Sequence, residues 1–249
     1  MHGRARILGA RRRWGGNFYW NPNSNEPDDG ATVLEPISNP TKGRWRRSAE
    51  WAMNVKAFGA RGRAGTADTE ALRKAIRHAN AAGGGIVLLP PGIYEFDDTL
   101  IFDDFQLVHV MGVGGVAYHG LGVTSQLLYN GVSSPSISMK SCAGVTFQNV
   151  QLFCRNAGFT GKLVEFGHSV TGADSQMCNF KDCWLSAPPT AKTLIDVSRM
   201  INTSFCGCVF STVRKLRSIT TVMQIQSKSR TARLEGRKRF RSGRRVKLG

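Results

Sequence analysis

Asn54-Val-Lys-Ala-Phe-Gly-Ala60 opens a run that continues through Gly83-Gly84-Gly85 and Ile86-Val-Leu-Leu89 to Pro90-Pro-Gly-Ile-Tyr94. Its composition predicts a short strand, a Gly-rich turn, a capped helix, a glycine stop, a second strand and a Pro-Pro-Gly turn, in that order. The helix is expected over about residues 66–82. Thr66 or Asp68 supplies the N-cap oxygen, and Asp68 with Glu70 places negative charge at the positive end of the helix dipole. Leu72, Ala75, Ile76 and Ala79 form one apolar face, opposite Arg73, Lys74 and Arg77.

Downstream, the chain repeats itself. Val145-Thr-Phe147-Gln-Asn-Val150-Gln-Leu152, Cys178-Asn-Phe180-Lys-Asp-Cys183-Trp-Leu185 and Thr203-Ser-Phe205-Cys-Gly-Cys208-Val-Phe210 align without gaps. A second aligned strand precedes each: Ile137-Ser-Met139, Val164-Glu-Phe166 and Ile195-Asp-Val197. Successive phenylalanines are 25 to 33 residues apart, a spacing that suits solenoids and β-helical coils. Apolar residues alternate with polar ones, as half-buried strands require, and two positions intervene between Phe and the next inward residue, where the coil turns a corner. The Leu-x-x-Leu-x-Leu and Asn spacing of leucine-rich repeats is absent. The pattern therefore predicts a parallel β-helix. His168 to about Asp174 reads as a loop insertion. Cys183 and Cys208 fall on the inward position of Val150, and Cys178 on that of Val145 and Thr203, where a thiol is a small hydrophobe. Their spacing matches no standard zinc site, so no metal, disulfide or cofactor is expected. Gly112-Val-Gly114-Gly115 lacks a surrounding βαβ unit and reads as a turn between coils.

The run from residue 54 to 94 resembles the opening of right-handed parallel β-helix proteins of the pectate lyase superfamily, the fold of many phage tailspikes and polysaccharide-degrading enzymes. The resemblance spans roughly residues 14–212. It implies an all-β chain with an amino-terminal capping helix over the open end of the first rung. The family's Gly-Asp-Gly and Asp-Asp-Thr elements stand here as Gly62-Arg63-Ala64 and Ala67-Asp68-Thr69, keeping Gly62, Asp68 and Thr69. Residues 14–50 form an aromatic lead-in, with Trp14-Gly-Gly-Asn-Phe-Tyr-Trp20, an Asp28-Asp29-Gly30 turn signal, Thr32-Val-Leu34 and Gly43-Arg-Trp-Arg-Arg47, similar to the segment that often precedes the β-helix in tailspike-like proteins. A free-standing carbohydrate-binding module is the sharper reading of these tryptophans. Packing on the next element is the plainer one, because Trp and Tyr in so short a segment more often pack than bind sugar.

The net charge of +17 belongs to the two ends: residues 1–13 hold five Arg and no acid, and residues 213–249 hold thirteen basic residues against Glu235. The body between them, with residues 51–212 as the β-helix, balances sixteen basic against sixteen acidic residues. Residues 1–13 read as a disordered basic terminus and 213–249 as a basic tail, disordered or non-native, because strand periodicity stops after Thr212. The four or so coils then read as a truncated β-helix without a carboxy-terminal cap. The tail's one ring is Phe240 and it fits no zinc-finger or helix-turn-helix pattern, which argues against nucleic acid as a partner. No apolar run is long enough to span a bilayer, and no signal peptide is seen.

Stacked rungs place outward side chains in ladders. Glu165 and Asp196 share one outward position, and His168 and Arg199, two residues after Phe166 and Val197, share another. Paired carboxylates on neighbouring rungs suit glycoside cleavage with retention, with Glu165 and Asp196 as the catalytic candidates. His168 and Arg199 would bind substrate, and Arg beside an acidic sugar also suits β-elimination. The bland alternative is a solvated charged ladder. Asp182, beside Asn149 and Gly207, is a weaker candidate. The catalytic signatures of polygalacturonases and the calcium-binding aspartates of pectate lyases are absent, so no family catalytic residue carries over. The resemblance implies a polysaccharide or bacterial surface glycan as partner, a homotrimer, and a place on a virion tail or the cell surface. A structural or receptor-binding spike segment without activity is the second reading.

Overall fold

The computed structural model describes residues 18–36, 42–47, 52–115, 124–132, 135–170, 172–196, 200–212, 215–218, 223–226 and 233–235. The expectations for Trp14, residues 1–13, Arg199 and most of the tail therefore lie outside the described residues.

Three stacked parallel sheets build the body. The first holds Leu100–Ile101, Ile137–Lys140, Lys162–Gly167 and Thr193–Asp196. The second runs through Ala52–Asn54, Gly85–Leu88, Val108–Met111, Thr146–Gln148, Asn179–Lys181 and Thr203–Cys206. The third comprises Gly92–Phe96, Ser125–Tyr129, Gln151–Cys154, Trp184–Ala187 and Val209–Thr212. The fold is the predicted parallel β-helix. Its register is the one that the repeat demands: Phe147 pairs Phe180 and Phe180 pairs Phe205 in one sheet, while Ile137 pairs Val164 and Val164 pairs Ile195 in another.

The reason for the repeat is visible in the core. Phe147, Phe180 and Phe205 stack with ring centroids 5.1 and 5.2 Å apart and interplanar angles of 6° and 17°. Val150, Cys183 and Cys208 are all buried in a neighbouring column, and Val145, Cys178 and Thr203 in another. All six cysteines are free. The corners before and after the second sheet also stack. Leu107, Gly144, Met177 and Asn202 each adopt positive φ two residues before the paired positions His109, Thr146, Asn179 and Ser204. Asn149, Asp182 and Gly207 do the same at the next corner, with φ of 55°, 50° and 64°. These last are the second of the two intervening positions of the sequence pattern, and left-handed backbone there tolerates Asn, Asp and Gly best. Asp182 thus serves as a corner: its amide donates to the Cys206 carbonyl, and its carboxylate oxygen fills the space where a Gly207 Cβ would sit. Gly115, in the turn foreseen between coils, lies against the Asn149–Val150 backbone, where an added Cβ would meet main-chain atoms.

At the amino-terminal end the capping helix spans Thr69–Ala81. Leu72, Ala75, Ile76 and Ala79 are buried, as the periodicity predicted, against the Val55–Phe58 turn and the Gly85–Leu88 strand. Covering Leu72 and Ile76 contributes about 1.5–3 kcal/mol each. Two details differ from expectation. The predicted strand at 54–60 occupies Ala52–Asn54 instead, and Val55–Phe58 is a 3-10 turn. The Asn54 side chain accepts from the Lys56 amide, and Gly59 closes the turn at φ 101°. Asp68 stands at the N-cap position but makes no side-chain cap. Its carboxylate accepts instead from the Arg61 and Gly62 amides at 2.7 and 2.9 Å, so it pins the incoming loop to the helix start. Those are part-buried charge-assisted bonds to a carboxylate that is itself buried. Asp68→Asn would turn one acceptor into a donor against an N–H, and is expected to cost roughly 1–3 kcal/mol. A thermal melt followed by circular dichroism reads this, and an unchanged midpoint would show that the loop is held otherwise.

The lead-in is a three-stranded antiparallel sheet of Phe18–Asn21, Arg44–Arg47 and Val33–Leu34. Its turn is held by Asp29, whose carboxylate accepts the amides of Ala31, Thr32 and Val33 at 2.8, 2.7 and 2.9 Å. Past Thr212, Lys215–Ser218 pairs antiparallel with Val209–Thr212, and Met223–Gln226 pairs with Thr203–Cys206 and Arg233–Glu235. Where the periodicity predicted an end to regular structure, two short strands pair onto the last described coil and a third pairs onto one of them. The other residues of 213–249 lie outside the described residues.

Candidate active site

The outward face of the first sheet carries the charged ladder. Glu165 pairs Asp196 across adjacent strands, as the repeat alignment requires. Lys162 Nζ lies 2.5 Å from Glu165 Oε1 and 2.6 Å from Asp196 Oδ2, and Lys140 Nζ lies 3.1 Å from Glu165 Oε2. The Glu165, Lys162 and Asp196 side chains are 18%, 22% and 24% exposed, so the cluster is half-buried rather than freely solvated.

Burial alone would push the Glu165 carboxyl up, but hydrogen bonds from Lys162 and Lys140 outweigh it and hold the group below the usual carboxylate range. The hydrogen bonds from Lys162 to Asp196 and Glu165 raise the Lys162 ammonium above its ordinary value. At neutral pH Glu165 is therefore an anion held between two ammonium groups. Glu165 is suited to act as an ionised group and unsuited to donate a proton.

Neither lysine was singled out by the sequence. Lys162 shares parity with the inward Val164, so simple alternation points it into the core. Leu163 and Val164 are both buried, however, so strict alternation fails at the start of this strand, and the Lys162 ammonium reaches Glu165, three residues on, and Asp196. Lys140 follows strand parity, and its stem lies over Gly167, its partner on the neighbouring strand. His168 belongs elsewhere: its Nε2 lies 2.9 Å from Asp174 Oδ1, within the predicted loop insertion. The structure thus brings Glu165 and Asp196 together and gives His168 a different neighbour, while Arg199 falls outside the described residues.

Comparison with known proteins extends this. The profile of the family described as rhamnogalacturonase A/epimerase, pectate lyase-like, matches residues 52–179, which run from the first rung through the charged ladder's central strand. The chain belongs to this family. As a pectate lyase-like protein it carries the right-handed parallel β-helix that its repeat announces. Alginate lyase 7 of Azotobacter vinelandii is 56% identical over 66 residues, covering 24% of this chain and 8% of that protein. The tailspike protein gp49 of Acinetobacter baumannii bacteriophage Fri1, a capsular polysaccharide depolymerase, superposes with a TM-score of 0.50 at 16% identity, covering 78% of this chain and 40% of that one. The enzymatically active domain of bacteriophage CBA120 tailspike protein 2 gives 0.50 at 15% identity, covering 79% and 29%. The likeness to these two structures is one of fold. The pectate lyase-like chain spans well under half the length of each of these three proteins. Among the described residues no helix is long and apolar enough to cross a membrane, and no group of His, Cys, Asp and Glu could hold a metal ion.

Proposed function

We propose that this chain grips a polysaccharide along the outward face of the first sheet and cleaves it there by glycoside hydrolysis with retention, using Glu165 and Asp196. One observation carries the reading. Both carboxylates bond a single ammonium, so their bound oxygens lie no farther apart than about 5 Å, the spacing of retaining pairs and too close for the intervening water of inverting ones. Glu165, held ionised by two lysines, takes the nucleophile's role and attacks the anomeric carbon. Asp196 passes a proton to the departing glycosidic oxygen and later takes one from water. Lys140 and Lys162 meet sugar hydroxyls or carboxylates, and an acidic polymer fits their charge. Membership of the pectate lyase-like family supports a polysaccharide as the ligand, and the tailspike fold supports a homotrimer on a virion tail or cell surface.

The same ion pairs favour a second reading, a spike segment that binds without cutting. A proton donor works best with a raised pKa, and this pair is surrounded by cations. Incubation with alginate, pectin and capsular polysaccharides, followed for new reducing ends and for unsaturated uronates, separates the possibilities. Reducing ends with retained anomeric configuration are expected. Unsaturated ends would replace hydrolysis by β-elimination, and saturable binding without product would leave the binding reading in place.

A further inference from the structure

We propose that the cleft between the lead-in sheet and the capping helix is a second carbohydrate site, which takes one acidic sugar unit by stacking on Tyr19 and pairing its carboxylate with Arg46. The ligand class rests on the polysaccharide reading above; the site does not involve the ladder.

Strand register sorts the lead-in's aromatics. Trp20 stands opposite Trp45, and Trp45 beside Leu34, on one face of the sheet. Tyr19 stands opposite Arg46, and Arg46 beside Val33, on the other. The first row touches within itself: the Trp20 and Trp45 rings are 5.3 Å apart, and Trp20, although 39% exposed, occupies the space where a Gly43 side chain would project. The second row faces a cleft of about 340 Å³, whose far wall is Met53 and Asn54 of the first-rung strand, Phe58 of the turn after it and His78 of the capping helix. Phe58 and His78 form that wall together, with ring centroids 5.7 Å apart.

Three features point to an anionic sugar. Tyr19 is 42% exposed and stacks on no other ring among the described residues, so an apolar ring face is left open beside polar groups. Such amphipathic rings suit the C–H face of a pyranose. Among the described residues the lining includes Arg46, Arg47 and His78 and no carboxylate. Arg46 lies 3.4 Å from Glu26 in a pair whose side chains are 37% and 49% exposed; pairs of that kind contribute little, so Arg46 is available to a second carboxylate. A volume near the lower end for ligand pockets holds one or two sugar rings rather than a running chain.

The test is a titration of the whole chain with short alginate oligomers and, separately, with neutral malto-oligosaccharides, read at the His78 imidazole resonances by NMR. Saturable shifts with alginate oligomers and not with the neutral sugar are expected. Tyr19→Ala/Arg46→Gln should weaken the response at least about tenfold, roughly 1.4 kcal/mol, while Tyr19→Phe, which keeps the ring, should retain it. Both changed residues are partly exposed, so unfolding is not expected, and a thermal melt of each variant verifies this. Unmoved His78 resonances, equal response to the neutral sugar, or undiminished shifts in the double variant would each overturn the proposal. Glu165→Gln/Asp196→Asn in the same titration separates the two sites: it abolishes cleavage and leaves the His78 response, so failure of the ladder reading leaves the cleft standing.

Discussion

Truncating Phe180 to Ala is expected to remove about 3–5 kcal/mol of folding stability. Phe180 is the middle ring of the Phe147–Phe180–Phe205 stack and is 1% exposed. Loss of an end ring leaves one face of its neighbour uncovered, whereas loss of the middle ring strips contacts from both neighbours and opens a void between two rungs. Those rungs cannot collapse to fill it, because backbone ladders fix their spacing at about 4.8 Å. Single domains are stable by roughly 5–15 kcal/mol in all, so this one change removes a large share. Urea unfolding followed by far-ultraviolet circular dichroism measures it. Val170→Ala is the control, since that side chain is fully exposed at 101%. A loss for Phe180→Ala below about 1 kcal/mol would mean that the rungs do relax, contrary to the close packing of protein interiors.

The second large effect belongs to the ladder. On whichever polymer the depolymerisation assay selects, Asp196→Asn is expected to lower kcat by about 10²–10⁴-fold, the usual contribution of a positioned acid or base. Glu165→Gln should abolish the covalent step while leaving substrate bound. Full activity in either variant would sink the assignment.

The pH dependence follows from the charges. Glu165 has a folded pKa below its unfolded value, so its contribution to stability is present above the ordinary carboxylate range and disappears as pH falls through the lowered folded value. Lys162 has a raised folded pKa, so its contribution is present below the ordinary lysine range and disappears as pH rises through that raised value. The melting temperature should therefore be flat through neutral pH and fall on both the acid and the strongly alkaline sides. In Glu165→Gln the acid-side loss should shrink. An acid limb identical in the two proteins would place its origin in other carboxylates.

The outward ladder was legible in part. Glu165 and Asp196 could be paired from the repeat because side chains at equivalent positions of stacked rungs are neighbours by construction. Lys162 could not, since strict alternation would turn it inward, and it fails where Leu163 and Val164 are both buried. His168 was misplaced for a related reason. Position in the repeat put it beside the ladder, but the loop it opens brings Asp174 back to it, and a loop's path is not written in strand periodicity.

The sequence by itself determined the coil. Period-two alternation, Phe at equivalent positions and Gly, Asn and Asp at the corners leave a stacked parallel helix as the arrangement that buries all of those apolar columns at once. It also determined the capping helix, whose apolar stripe needs a surface to cover. The tertiary structure decided what each polar group does. Asp68 looks like a helix cap in sequence and in space pins a loop, because the amides of Arg61 and Gly62 come within reach once the chain folds back. Tyr19 and Trp20 are adjacent in sequence, yet Trp20 lies beside Trp45 and Tyr19 faces a cleft, because strand pairing sends them to opposite sides of a sheet. Local pattern fixes which residues point inward. Which outward residues meet is set by distances across rungs and loops, and those exist only in the folded chain.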